Sequence, residues 1–210
     1  MNYYQEIRLL PNAETNLGFL WHKVFQQIHI ALVEHQVEKN RSEIGLSIPD
    51  YFVPSKDKRD FPLGDKIRLF ANSQQELEKL NIAHWLLRYE DYAQVKSIKS
   101  VPENVQHACF SRRHKKGQNQ IAQKTLRLAE FKASKTGESV EKHLAEYEAT
   151  APVANNKLPY IFCKSLSGGG DAFPLFIEMQ VKDTAQPGEF NCYGLSARMQ
   201  EDKQATVPWF

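Results

Sequence analysis

The chain has 210 residues, of which 41% are hydrophobic and 25% are charged, and its formal net charge at pH 7 is +2. These values are typical of a soluble globular protein with one large domain or two small ones. They exclude a membrane span, because no apolar run approaches the roughly 20 residues that a spanning helix needs.

The N-terminus and the cysteines both predict a cytoplasmic protein. The first residues lack the basic, apolar and small-residue succession of a signal peptide. Cys109, Cys163 and Cys192 are odd in number and far apart, which argues against a disulfide framework or a cysteine zinc site.

The first hundred residues alternate between strand and helix patterns. The elements predicted in chain order are a strand at 3–10, a helix at 17–37, strands at 44–49 and 66–71, a helix at 74–87 and a strand within 92–101. This β-α-β-β-α-β order predicts a ferredoxin-like domain over residues 1–103, a fold in which one sheet face is often used for RNA.

His29 is the candidate catalytic residue of the first helix. Apolar residues at steps of three and four form the buried stripe of this helix, and Asn16 is positioned to cap its N-terminus. His29 falls on the margin of that stripe, where an imidazole could pack on one side and meet a ligand on the other. The alternative is a packed boundary histidine without a chemical role.

Basic residues become frequent after Pro102, and residues 104–210 are predicted to form a second, smaller α+β domain. A loop at 110–117 contains Arg112, Arg113, His114, Lys115 and Lys116 and leads into a helix from about Gln118. Consecutive cations repel one another unless an anion binds. On the helix, one predicted face contains Gln120, Lys124, Arg127, Phe131 and Lys135, and the residues expected to pack inward are Ile121, Ala122, Thr125, Leu128 and Ala129.

A basic stripe with one aromatic residue is typical of a helix that follows phosphates, and a solvated lysine face is the alternative.

An acidic helix is predicted at 138–148. Strands are predicted at 158–165, 173–181 and 190–195, with turns at 167–171 and 187–188. The apolar residues 206–210 are expected to be held against the body of the protein.

The residue patterns favour acid–base chemistry without a metal. No histidine pair has metal-binding spacing, no Gly-x-Ser-x-Gly elbow occurs, and the glycines at 168–170 lack the pattern of a phosphate-binding loop. RNA supplies its own nucleophile, the 2′-hydroxyl, so a histidine, a hydroxyl and a phenol are sufficient side chains. Sequence spacing does not bring such groups together.

Several segments, taken in order, resemble the CRISPR-associated repeat endoribonuclease of the type I-F system. The matching pieces are residues 4–11, 24–32, 44–49, 63–68, 158–160, 164–167, 173–177, 192–196 and 207–210. The most specific are Cys-Tyr-Gly-Leu-Ser at 192–196, Val-Pro-Trp-Phe at 207–210, and His29 in its helix. Residues 51–64 and 118–156 match poorly.

The resemblance implies an α+β protein with a ferredoxin-like domain and a smaller domain that grips RNA. It implies that the enzyme cuts precursor CRISPR repeat RNA at the base of a hairpin. The family needs no metal or other cofactor, leaves a 2′,3′-cyclic phosphate, and stays on the mature guide RNA. It then works with the other subunits of the type I-F surveillance complex, and no membrane is involved.

The resemblance also implies roles by position. His29 would be the general base, Ser165 would hold the ribose with Ser167 nearby, and Tyr193 would orient His29. Phe173 would stack on the closing base pair and Arg112 would read a base edge. The helix after Gly117, with Lys124 and Arg127, would lie in the major groove of the stem.

The chain departs from the family pattern at two places. The family commonly has glutamine at the position of His114, and its groove helix is rich in arginine, whereas this helix offers mostly lysine. A different hairpin sequence is therefore expected. The alternative functions are a non-catalytic RNA-binding subunit and a metal-dependent nuclease.

Overall fold

The computed structural model describes residues 1–55, 60–113, 118–150, 158–165, 172–197 and 204–210, with the backbone alone for 118–121. The chain divides into two compact units. One comprises Met1–Arg113 with Leu158–Phe210, and the other comprises His114–Lys157. The boundary expected between residues 103 and 104 falls inside the first unit, and that domain division remains a prediction.

The first sheet of the larger unit is built from the N-terminal hundred residues. The strands of this sheet and the helices between them are, in chain order, β1 (Tyr3–Leu9), α1 (Leu17–Glu34), β2 (Gly45–Ser47), β3 (Lys66–Ala71), α2 (Gln74–Leu80), α3 (Ile82–Trp85), β4 (Ala93–Val95) and β5 (Lys99–Ser100). The strand order is β2-β3-β1-β4, β5 also pairs with β1, and the neighbours are antiparallel.

The predicted helix at 74–87 is wrong as one continuous element. Ser73 and Glu76 form a capping box at the start of α2, as their spacing favours. Asn81 then takes a left-handed conformation with φ of 46° and ends α2. Asparagine tolerates this conformation better than most residues. The chain continues as the four-residue α3 and a 3₁₀ turn at Leu87–Tyr89.

Helix α1 is held at its start by Asn16, whose side-chain oxygen accepts from the Phe19 N–H at 3.0 Å. Its apolar stripe is buried as the spacing predicted. The buried residues are Leu20, Trp21, Val24, Phe25, Ile28, His29, Ala31 and Leu32. His29 is only 7% exposed, deeper than a margin position implies. The helix ends at Glu34, three residues before its predicted end.

The second sheet of the larger unit comes mostly from the second half of the chain. Its strands are β6 (Gln106–Arg113), β7 (Tyr160–Lys164), β8 (Ala172–Lys182) and β9 (Val207–Trp209), in the antiparallel order β7-β8-β6-β9. The pairing of β9 with β6 confirms that the apolar tail is held against the body. Val207 is 1% exposed.

Two sequence-based assignments in this region were wrong. Residues 110–113, expected in a loop, are the end of β6, because Phe110 packs into the core at 2% exposure and the strand pairs with β8. Residues 190–195, expected as a strand, form a turn. The Asn191 side-chain oxygen accepts from the N–H groups of Tyr193 and Leu195, and Gly194 has a φ of +70°. The expected turn at 167–171 lies outside the described residues.

The smaller unit is a pair of helices, α4 (Gln118–Thr136) and α5 (Val140–Thr150). Helix α4 starts where the sequence predicted. Of the residues expected to pack inward, Thr125 and Ala129 are buried, whereas Ala122 and Leu128 are exposed. The stripe that packs on one neighbouring helix is narrow, which explains the difference. The side chains of Gln120 and Ile121 lie outside the description.

The predicted basic face of α4 is exposed at Lys124, Arg127, Phe131 and Lys135. In contrast, Lys132 forms an ion pair with Glu146 of α5 at 3.0 Å. In the part of the chain that the structure describes, no helix is both long enough and apolar enough to cross a membrane.

Candidate active site

His29 is held by a backbone carbonyl that lies 163 residues away in sequence. Its Nδ1 is 2.8 Å from the Cys192 carbonyl oxygen. A carbonyl can only accept, so Nδ1 carries the proton and Nε2 carries the lone pair in the neutral ring. Burial lowers the pKa of His29 below its ordinary value, and the Cys192 hydrogen bond opposes this effect only in part. The ring is therefore neutral at pH 7, with Nε2 able to accept a proton.

Tyr193 fixes the plane of the His29 ring. The two rings stack with centroids 4.0 Å apart and planes 11° apart, and Phe25 lies parallel on the Tyr193 ring at 6.3 Å. The contact is face to face, so in this arrangement Tyr193 orients the imidazole by ring packing. Burial raises the pKa of Tyr193, which therefore stays neutral at pH 7.

The turn that presents Cys192 and Tyr193 depends on Gly194. Its φ of +70° lies in the left-handed region that favours glycine. A Cβ at this position would lie 2.7 Å from the Leu46 Cβ on β2. Leu46 also donates its N–H to the Gly194 carbonyl at 2.8 Å. The first sheet thus supports the turn that holds His29.

Arg112, near the end of β6, supplies positive charge beside the stacked rings. Its guanidinium carbon lies 5.2 Å from the Phe173 ring centroid and 5.9 Å from that of Tyr193. Guanidinium groups are attracted to aromatic faces at such distances. Burial raises the pKa of the nearby Cys163 thiol to about 12, with Arg112 acting in the opposite direction, so this thiol is not ionised at pH 7.

The structure brings together His29, Tyr193, Arg112 and Phe173 among the residues selected from the sequence. Ser165 follows directly after β7 and is half-buried. Four selected residues, namely His114, Lys115, Lys116 and Ser167, lie outside the described residues. Lys124 and Arg127 are exposed on α4 of the smaller unit.

Arg113 differs from its neighbour Arg112. Its Nε donates to the Glu178 carboxylate at 2.6 Å across the β6–β8 pair. A carboxylate therefore already neutralises this cation, which weakens the case for Arg113 as a phosphate contact.

Sequence reasoning missed the groups that hold the site in place. The Cys192 contact uses a backbone carbonyl, which every residue type has, so no sequence signal could reveal it. Gln26, one helical turn before His29, was also missed. Its side chain accepts a hydrogen bond from the backbone of β7. Within the described part of the chain, no group of three or more His, Cys, Asp or Glu side chains is arranged to hold a metal ion.

Comparison with known proteins gives matches over the full length. The sequence model of a CRISPR-associated protein family, Cas_Csy4, matches residues 4–210. The chain is 32% identical over 212 residues to the CRISPR-associated endonuclease Cas6/Csy4 of Escherichia coli (strain UTI89 / UPEC). It is 30% identical over 214 residues to the protein of the same name from Pseudomonas aeruginosa (strain UCBPP-PA14). Each alignment covers 100% of both chains.

A solved structure titled CRISPR associated protein Cas6 aligns over 99% of this chain and 98% of its own, with 10% identity and a TM-score of 0.32. That score is too low to support an argument about the fold. The family assignment depends instead on the sequence matches, which extend from the first strand to the tail. The chain belongs to the Cas_Csy4 family of CRISPR-associated proteins.

Proposed function

We propose that this protein is a metal-independent endoribonuclease that cuts precursor CRISPR repeat RNA at the base of a hairpin. Two relatives that match end to end are named CRISPR-associated endonucleases. The observation that carries the proposal is the 2.8 Å contact between His29 Nδ1 and the Cys192 carbonyl. This contact leaves a neutral imidazole with its lone pair on Nε2, which is the form that a general base requires.

In the proposed reaction, Nε2 of His29 takes the proton from the 2′-hydroxyl of the nucleotide before the cut. The 2′-oxygen attacks the adjacent phosphorus, and the bond from phosphorus to the 5′-oxygen breaks. The products are a 2′,3′-cyclic phosphate and a 5′-hydroxyl, whose proton comes from the imidazolium or from water. Tyr193 holds the imidazole plane, and the Ser165 hydroxyl positions the ribose.

RNA binding is assigned to the cations near this site and on α4. Arg112 lies against Phe173 and Tyr193 and is suited to a base edge or phosphate, while Phe173 offers a ring for the closing base pair. Lys124 and Arg127 on the exposed face of α4 would follow phosphates of the stem. Ser167, His114, Lys115 and Lys116 remain candidates for contacts with RNA.

We also propose that the first sheet and its helices form a ferredoxin-like domain. The β-α-β-β-α-β order and the antiparallel strand order β2-β3-β1-β4 support this assignment. The protein is further proposed to act in the cytoplasm, to stay bound to the mature guide RNA and to join the other subunits of the type I-F surveillance complex.

The test is cleavage of a type I-F repeat RNA in EDTA, with either a ribonucleotide or a deoxyribonucleotide just upstream of the cut. Cutting of the all-RNA substrate alone is the expected result, because the deoxy substrate lacks the nucleophile. Loss of cutting in EDTA, restored by a divalent ion, would overturn the proposal in favour of a metal-dependent nuclease. Tight binding of both RNAs without cutting would indicate a non-catalytic RNA-binding subunit.

A further inference from the structure

Strand β7 lies at the edge of the second sheet, and side chains of α1 bind the backbone along this edge. The Lys164 N–H donates to Oε1 of Gln26 at 2.9 Å, and Nε2 of Gln26 donates to the Lys164 carbonyl at 3.5 Å. One turn earlier, Nδ1 of His22 donates to the Phe162 carbonyl at 2.6 Å. An edge strand normally leaves such groups unpaired or bonded to water.

The spacing of these contacts sets a register between α1 and β7. His22 and Gln26 are four residues apart, which is about 6 Å along a helix. Phe162 and Lys164 are two residues apart, which is about 6.6 Å along a strand. The two elements therefore run in the same direction with matched repeats. His29 follows Gln26 by three residues on α1, and Ser165 follows Lys164 directly after the end of β7.

We infer that Gln26 is a positioning residue that sets Ser165 in register with His29, an inference that rests on the proposed function. Gln26 makes both of its contacts with the backbone of Lys164, the residue directly before Ser165. The His29 ring is fixed separately, by the Cys192 carbonyl and by stacking on Tyr193. Gln26 thus acts on the ribose-holding side of the site and leaves the imidazole unchanged.

The test compares Gln26→Met, which keeps the length of the side chain but loses both amide contacts, with Gln27→Ala on the adjacent position of α1. Single-turnover cleavage of the repeat RNA and its Kd are measured for each variant. We expect Gln26→Met to cut about 10- to 100-fold more slowly, since small misplacements of reacting groups have large rate effects. We expect its Kd to stay within about threefold of wild type and Gln27→Ala to behave as wild type.

A double-mutant cycle with Ser165→Ala separates positioning from a general loss of structure. If Gln26 acts through Ser165, the double variant cuts about as slowly as Ser165→Ala alone. Should Gln26→Met unfold, Gln26→Ala replaces it and is expected to give the same pattern. The inference would be overturned if the rate losses of the two single variants multiply in the double variant, or if Gln26→Met cuts as fast as Gln27→Ala. His29→Ala serves as the separate control for the function: undiminished cutting by that variant would refute the proposed chemistry, whatever Gln26 does.

Discussion

The imidazole of His29 and the phenol ring of Tyr193 lie face to face, with centroids 4.0 Å apart and planes 11° apart. One ring comes from the first helix, and the other comes from a turn near the C-terminus. The neighbouring Cys192 carbonyl fixes the tautomer, so a single short turn determines both the orientation and the tautomer of His29.

His29 should determine how cleavage depends on pH. Burial lowers its pKa, so the neutral base accumulates at a lower pH than for an exposed histidine. We expect kcat/KM to rise with pH, with a half-maximal value below about pH 6.5, the ordinary pKa of histidine, and to level off above it. His29→Ala should lose about 10²- to 10⁴-fold in rate and keep its affinity for the hairpin. A rate that rises tenfold per pH unit from 7 to 8 would show that His29 is not the titrating base.

Tyr193 should act through its ring more than through its hydroxyl. Tyr193→Phe preserves the stack on His29, whereas Tyr193→Leu removes the flat surface. We expect the Phe variant to cut about tenfold faster than the Leu variant in single-turnover assays. Equal losses in both variants would instead show that the hydroxyl is what matters.

Arg112 and Arg113 form a matched pair for measuring RNA contacts. Arg112 lies over two aromatic rings, whereas Arg113 is paired with Glu178. Arg112→Ala should weaken hairpin binding by about 1–3 kcal/mol, because the cation assigned to a base edge or phosphate is lost. Arg113→Ala should change the affinity little. Affinity measured from low to moderate salt checks both, and the reverse ranking would refute the assignment.

The cations of α4 also include exposed side chains and one that is paired with a carboxylate. Lys124 and Arg127 are exposed, while Lys132 is paired with Glu146 and lies 5.6 Å from the Tyr147 ring centroid. The double change Lys124→Ala with Arg127→Ala should reduce the salt slope by up to about 2. Lys132→Ala is the control and should leave the slope nearly unchanged. A hairpin affinity that is insensitive to the double change would place the stem elsewhere on the protein.

Gly194→Ala should destabilise the turn that holds His29. Its positive φ and the 2.7 Å approach to Leu46 predict a loss of about 1–3 kcal/mol in the free energy of unfolding, together with slower cleavage. Gly137→Ala is the matched control. Gly137 has a φ of +73°, but no atom of the described structure lies within 4 Å of a Cβ built there. Denaturant unfolding compares the two, and equal losses would show that the Leu46 contact is unimportant.

The sequence alone determined the features that arise from local spacing. The apolar repeat and Asn16 predicted α1, and the end of the basic loop at Gly117 predicted a helix from about Gln118, where α4 begins. The apolar stripe singled out His29 and the basic loop singled out Arg112. The resemblance to a family then gave these residues and Tyr193 their expected roles, and the full-length matches confirmed the family.

Only the tertiary structure decided which groups surround His29. The Cys192 carbonyl is 163 residues away and carries no side-chain signature, and the amide of Gln26 reaches a strand 138 residues later. Arg112 and Arg113 are neighbours in sequence, yet strand alternation sends one to the aromatic rings and the other to Glu178. Local periodicity predicts which face of an element is buried, but the partner on that face depends on long-range packing.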